Sequence, residues 1–485
     1  MMEEALALLY VIFSILLLPY GYNCFLLVYG ARKYRVKAVE PVRNHAVVTV
    51  QLPIYNERFV VQRLLRTVRD LDWPMDRLEI QVLDDSTDET SSIIDSEIEI
   101  FRSKGFDVKA IRRKERTGFK AGALQNALKS ARGKYIAILD ADFIPPTDFL
   151  ERAIPHLEED QRLGFVQARL GHINRDFNML TETIALAIDG HFLVEQPGRD
   201  ALSMVINFNG SGGVLRKDAV EDVGGWDVDV LTEDLEMSYR MRLRGWGSKY
   251  LRDLVIPGEV PVNISAFKNQ QARWSAGGAQ CARKLLRDVW RSTNLSVREK
   301  IESTLHLTNY FIYPFMFLTL VSMVVLLVSD RVPRMIFYSP FGIFLSIGAF
   351  GASLMYIASV LFQNSGLKRN VPYLSLLAVV GVGLSAQCFI SILKGLLSKR
   401  REFVITPKYN INGKEVTLSS KIYKPIKTFP VTETIMAGFS LFGIYLAIVN
   451  QIFTVIMSLS VYFMGFFLIV YYTVIHPRMV GSTIT

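Results

Sequence analysis

Asp140 and Asp142 stand one residue apart in YIAILDADFIPP (Tyr135 to Pro146). Ile136, Ile138 and Leu139 are branched apolar residues between Gly133-Lys134 and a double proline, the pattern of a short buried strand. In an open α/β sheet, ligands bind at the C-terminal edge of such strands. Two carboxylates there can hold a hard divalent cation, which takes oxygen ligands and shares them with phosphates, so a diphosphate-bearing substrate is the natural guest. The alternative is that the same aspartates only cap the next helix. VLDDSTDET repeats the arrangement with Asp84 and Asp85 at a second strand end, and Lys120 of RTGFKAGAL, at a helix start, can meet phosphate. QLPIYNE (Gln51 to Glu57) ends a third strand; Pro53 and Asn56 turn the chain, and backbone donors and Glu57 fall where a base or ribose can be read. Each of these also has a plain reading as turn chemistry.

Two later stretches add reactive groups of a different kind. LTEDLEMSYRMRLRGW (Leu231 to Trp246) has helical spacing with Glu233 and Asp234 in its first turn. The helix dipole alone would favour carboxylates there. Held near a sugar donor, Asp234 can also take the proton from an attacking hydroxyl, with Glu233 beside it in the candidate catalytic pair. In NQQARWSAG, Gln270, Arg273 and Trp274 lie within about one helical turn. An Arg fork neutralises a leaving diphosphate, and a Trp face stacks on a sugar ring.

These residues need a scaffold, and residues 38 to 300 read as one. Short apolar runs alternate there with amphipathic stretches, as in repeated βα units with a mostly parallel sheet. Strands are expected at Ala46 to Pro53, Glu79 to Ser86, Val108 to Arg113 and Tyr135 to Leu139, with helices over Glu57 to Leu71 and Lys120 to Ala131. Asp84, Asp85 and Asp140 then share one sheet edge. Cys24, Cys281 and Cys388 are too scattered for a disulfide framework or a thiolate metal site, so any metal must be held by carboxylates.

Outside that region the chain is apolar. Ala5 to Tyr29 carries no charge, follows Glu3 and Glu4 and precedes Arg32, Lys33, Arg35 and Lys37, which predicts an anchor with its C-terminal flank in the cytoplasm. Leu305 to Ser329 and Met335 to Gln363 are each expected to span. Ile435 to Ile475, 41 residues without a charge, is expected to fold back near Asn450-Gln451. Lys399 to Lys427 holds eight Lys and Arg against two acids. It should therefore lie on the cytoplasmic side with the catalytic region, and an even number of crossings must separate the two. That parity makes Val371 to Leu393 an interfacial or packed helix and gives five spans; a sixth span is the alternative. The net charge of +9 sits largely beside apolar segments, where it meets anionic headgroups, so no nucleic-acid partner is expected.

The ordered set DDS (Asp84 to Ser86), DAD (Asp140 to Asp142), FNGSGG (Phe208 to Gly213), TED (Thr232 to Asp234) and Q-x-x-R-W (Gln270 to Trp274) resembles the processive branch of glycosyltransferase family 2. WPMDRLEIQVLDDSTDET, KAGAL, VQAR and FNGSGGVLRKDAVEDVGGW are most similar to cellulose synthase-like mannan, glucomannan and glucan synthases. FVITPK resembles the gating-loop pattern F-x-V-T-x-K, with Ile405 in place of Val.

The resemblance implies an α/β GT-A (Rossmann-like) catalytic domain inserted between transmembrane helices of an integral membrane protein. The divisions would be an anchor over 1–37, the GT-A domain over 38–300, transmembrane helices over 301–370, an interface helix and gating loop over 371–430, and a transmembrane hairpin with a short tail over 431–485. It implies donor contacts from Pro53, Tyr55, Glu57, Asp84, Asp85, Lys120, Asp140, Gln270 and Arg273, with Mg or Mn on Asp140 and Asp142. Asp234 would be the general base, with Glu233 beside it. Phe208, Asn209, Gly210 and Trp274 would meet the acceptor, and Phe403, Thr406 and Lys408 would close over the nucleotide. The expected activity is inverting transfer of a hexose from GDP-mannose or UDP-glucose to a polysaccharide at the cell membrane; a lipid-linked acceptor or a catalytically silent assembly partner is the alternative.

Overall fold

The computed structural model describes residues 2–328, 340–397, 408–411 and 429–482. Seven strands form one mixed sheet: β1 (Val48–Ile54), β2 (Leu78–Asp84), β3 (Asp107–Ile111), β4 (Tyr135–Ile138), β5 (Leu163–His172), β6 (Gly213–Arg216) and β7 (Gly247–Gly258). Their order is β3-β2-β1-β4-β6-β5-β7, and β6 runs antiparallel to both neighbours. The four strands anticipated from apolar runs are β1 to β4, displaced by at most two residues. Their near-continuous apolar character reflects burial on both faces. One face packs on the helices Val61–Arg69, Thr90–Ser103 and Phe149–Glu159, and the other on Phe119–Leu128 and Glu233–Leu243. Because β1, β2 and β4 are mutually parallel, Ile54, Asp84 and Ile138 end at one edge. Residues 53–57, 84–86 and 139–143 therefore gather there.

Among the described residues, four single helices are long and apolar enough to cross a membrane: Glu4–Lys33, Asn309–Val328, Val431–Val449 and Phe453–Ile475. The chain is a membrane protein. The last two form the anticipated hairpin, broken where Gln451 takes a left-handed φ of +57° and Asn450 Nδ2 donates 2.6 Å to the Leu327 carbonyl. Helix Pro340–Phe362 packs along the first helix so closely that a Cβ on Gly351 would lie 2.0 Å from the Gly21 carbonyl oxygen. Glycine is what lets the two backbones touch.

The segment read as a single interfacial helix is two helices, Leu367–Gly383 and Ser385–Leu397, bent by 47°, which together also reach spanning length. Its first half packs on Ile456–Ser482. Its second half packs on Ile264–Arg291, the helix that carries Gln270, Arg273 and Trp274. Gly395 meets the Ala276 backbone there. Lys268 pairs with Glu433 of the hairpin, so this helix joins the membrane bundle to the sheet domain.

Candidate active site

Asp140 follows β4 by two residues. Its backbone N–H donates 2.7 Å to Ser211 Oγ, and its Oδ1 accepts from Lys120 Nζ. Lys120 sits in the first turn of Phe119–Leu128, after Gly118, whose φ of +72° makes the turn, and is faced by Asp140, Glu233 and Asp234. Arg273 is faced by the same three carboxylates. A Cβ on Gly210, itself at φ +75°, would come within 3.0 Å of Asp234 Oδ2 and 3.5 Å of Lys120 Nζ. The loop 208–213 thus passes directly over the acid group.

The TED turn and the Q-x-x-R-W helix are held together by absence of bulk, since a Cβ on Gly277 would lie 2.5 Å from Thr232 Cγ2. Asp234 Oδ1 accepts from the Leu235 N–H at 2.8 Å. Burial and then the neighbouring Asp234 charge push Glu233 up to about 7, and burial raises Asp234 as well. Trp274 is half-buried beside Arg273, and Gln270 Oε1 is buried without a hydrogen-bond partner among the described residues.

The second carboxylate of the DAD pair faces elsewhere. Asp142 is 3 % exposed, and its Oδ2 accepts from Lys408 Nζ and from the Glu259 N–H, both at 2.7 Å. The Lys408 ammonium also donates 2.9 Å to the Glu259 carbonyl, while the Tyr409 N–H donates 2.9 Å to the Glu259 carboxylate. Arg63 joins Glu259 to Asn410. Residues 408–411 are therefore strapped to the sheet edge, with the gating-motif lysine on the candidate metal ligand; Phe403 and Thr406 fall outside the described residues. Burial raises Glu57 well above the ordinary carboxylate range, with Lys408 opposing and Asp142, Glu259 and Asp140 adding to the shift.

The donor set is all oxygen and suits a hard cation, but among the described residues no group of three or more His, Cys, Asp or Glu has metal-holding geometry. Asp140 and Asp142 would hold such an ion by displacing the lysines that now neutralise them, leaving most of its ligands to phosphate and water.

Tyr55 follows the end of β1 with the Arg116 guanidinium 3.3 Å from its ring centre, and Asp85 is gripped by the Arg113 fork. Pro53 is within β1, opposite Leu83.

Two anticipated contacts change character. Asp84 is 3 % exposed and accepts from Ser86 N–H, Ser91 Oγ and Arg112 Nε at 3.0, 2.7 and 2.8 Å, so it braces the strand end instead of presenting a free carboxylate. Phe208 is fully buried against Phe165 and Trp226 and is a core ring, not an acceptor surface. Reading by sequence missed Glu259 and Arg63, which no motif flags, and passed over Arg113 and Arg116, although RRKERTGFK leads into Lys120.

A family model described as glycosyl transferase family group 2 matches residues 135–367. Glucomannan 4-beta-mannosyltransferase 2 of Arabidopsis thaliana is 39 % identical over 278 residues, covering 56 % of this chain and 51 % of that protein. Probable glucomannan 4-beta-mannosyltransferase 11 of the same plant is 32 % identical over 421 residues, covering 83 % of this chain and 90 % of the relative. The chain spans about half the length of the first curated relatives it matches. Among solved structures, the mannosyltransferase PcManGT from Pyrobaculum calidifontis, in complex with GDP-Man and Mn2+, aligns with a TM-score of 0.51 at 22 % identity, over 80 % of this chain and 99 % of that one, a likeness of fold. With Asp140, Glu233 and Asp234 gathered around Lys120 and Arg273, and a relative matched over nine-tenths of its length, the chain belongs to the family 2 glycosyltransferases, on the cellulose synthase-like branch that includes the glucomannan 4-beta-mannosyltransferases.

Proposed function

We propose that this protein is a membrane-embedded inverting β-glycosyltransferase that moves a hexose from a nucleotide-diphospho-sugar to a growing mannan- or glucan-type polysaccharide. The observation that carries the reading is the grouping of Lys120, Asp140, Glu233, Asp234 and Arg273 around the loop 208–213. Asp234 takes the proton of the acceptor hydroxyl as its oxygen attacks the sugar carbon from the face opposite the diphosphate. The carbon–oxygen bond to the diphosphate breaks, and the nucleoside diphosphate departs with the electron pair. Lys120 and Arg273 meet the charge that develops on it. A single in-line displacement inverts the configuration.

Bound Mg or Mn would supply charge neutralisation on the diphosphate from Asp140 and Asp142. GDP-mannose is the favoured donor because the relatives on this branch are named mannosyltransferases. Purified full-length protein in nanodiscs should transfer labelled mannose from GDP-mannose, giving a product that a β-1,4-mannanase degrades. Excess chelator should abolish transfer and added Mn should restore it. Transfer undiminished by chelator would remove the metal from the scheme, and absence of transfer from every nucleotide-hexose would end the reading.

The catalytic region and residues 396–430 should lie on the cytoplasmic side, from the excess of Lys and Arg there. A Lys414→Cys variant should then react with an impermeant maleimide only after the cells are opened. Labelling of intact cells would reverse the orientation.

A further inference from the structure

Between the helices Met179–Gly190 and Gln196–Ala201 the chain makes a single π-helical turn, His191–Glu195. Such turns are rare and frequently mark functional sites. This one packs on the first membrane helix and on Pro340–Phe362, and His191 reaches from it to the loop 208–213.

Glu195 is the centre of the group. Its Oε2 accepts from His191 Nδ1 at 2.8 Å and its Oε1 from Arg199 Nε at 3.1 Å, while His306 Nε2 faces Oε1 at 3.8 Å. Burial opposes its charge, but His191, Arg199 and His306 outweigh that and hold Glu195 below the ordinary carboxylate range. An ionised carboxylate only accepts, so His191 Nδ1 carries a proton.

From the two histidines a path runs to each side of Asp234. His191 Nε2 pairs with Asn209 Oδ1 at 2.9 Å, and Asn209 Nδ2 donates 3.2 Å to the Asn207 carbonyl, which sets the orientation of the amide. The next residue is Gly210, the one that passes over Asp234. His306 Nδ1 pairs with Tyr239 Oη at 2.9 Å, and Tyr239 belongs to the helix Glu233–Leu243, whose first turn holds Asp234. His191, Glu195 and His306 lie outside the DAD, TED and Q-x-x-R-W motifs.

We propose that His191 and Glu195 are positioning residues for sugar transfer, and that the pair holds the loop 208–213 over Asp234 through Asn209 and ties it to the membrane helices. The proposal rests on the reading of Asp234 as the base. A loop with Gly210 at φ +75° and Gly212 at φ +68° has little stiffness of its own, so the side chains that pin it decide where it sits. A displacement of about 1 Å at a reacting centre can cost ~10²-fold in rate.

Two substitutions separate this hold from packing. The amide nitrogen of glutamine falls where histidine Nε2 does, and that of asparagine where Nδ1 does. His191→Gln therefore keeps the donor to Asn209, whereas His191→Asn keeps the donor to Glu195 and loses the loop. In full-length protein in nanodiscs, amide hydrogen exchange over 207–213 should quicken about tenfold in His191→Asn and less than about threefold in His191→Gln. Asn209→Ala, which cuts the same bond from the loop side, should quicken it by about as much as His191→Asn. The kcat for hexose transfer should fall about tenfold or more in His191→Asn, with donor KM within about twofold of the parent's, and stay within about threefold in His191→Gln. A histidine that only packs forecasts otherwise, because each variant gives up one partly buried hydrogen bond and both would lose activity in step with melting temperature. Equal exchange and equal kcat in the two His191 variants, no quickening in Asn209→Ala, or loss confined to donor KM would each overturn the hold. Exchange that quickens only in His191→Asn and Asn209→Ala, in a protein whose parent transfers no hexose, would uphold the hold on the loop and refute the transferase reading.

Discussion

Asp234→Asn is expected to lower turnover by ~10²-fold or more while donor affinity is nearly unchanged. Asparagine keeps the shape and the bond to the Leu235 N–H but cannot accept the acceptor's proton. The pH profile carries a second signature. A base must be ionised, and Asp234 is buried with Glu233 so that both titrate above the ordinary carboxylate range. The parent should therefore lose activity on mild acidification, where an exposed aspartate would still work.

The sign for stability runs the other way. Groups whose folded pKa is raised favour folding below their unfolded value, and that contribution is lost as pH rises through the folded one, about 7 for Glu233. Removing one of two buried like charges should thus leave the melting temperature at pH 8 unchanged or higher. A merely capping aspartate forecasts the reverse, with stability and donor binding falling together. Melting scans and nucleotide titration on this one variant separate the two.

Lys120→Met should weaken kcat/KM for the donor by about 2 kcal/mol or more, a factor of roughly 30. The ammonium balances Asp140 by direct contact and acts on Glu233 and Asp234 through charge, so its loss leaves three carboxylates facing a diphosphate with only Arg273 opposing them. Because Lys120 is among the charges that hold Glu233 and Asp234 down, its removal raises both, and the acid limb of the rate profile should move to higher pH than the parent's. A surface ion pair of no catalytic importance would instead change stability by less than about 1 kcal/mol and leave the profile in place. A profile that does not move would refute the shared-charge account even if the rate fell.

The Lys408 contact sets these expectations in context. The Lys408 ammonium donates to Asp142 Oδ2, so a cation at that carboxylate would compete with it. Any ion held by Asp142 would have to displace Lys408, which lies in the segment 408–411 tied down by Glu259 and Arg63.

What the sequence determined by itself is local. Branched apolar runs closed by Asp, Gly or Pro set β1, β2 and β4, and parallel pairing then brought Glu57, Asp85 and Asp140 to one edge without further information. The charge-free lengths likewise placed the first membrane helix, Asn309–Val328 and the closing hairpin, because a span must be about 20 residues whatever it packs against. Partner choice was not legible. That Asp84 is a buried brace while Asp85 next to it meets Arg113, and that Phe208 is core while Gly210 two residues on covers Asp234, depend on which faces the sheet and the loop turn outward. That Lys408 returns across 266 residues to Asp142 is set by how the later chain folds back on the sheet edge. Periodicity has no access to such contacts, since they join residues that no spacing rule relates.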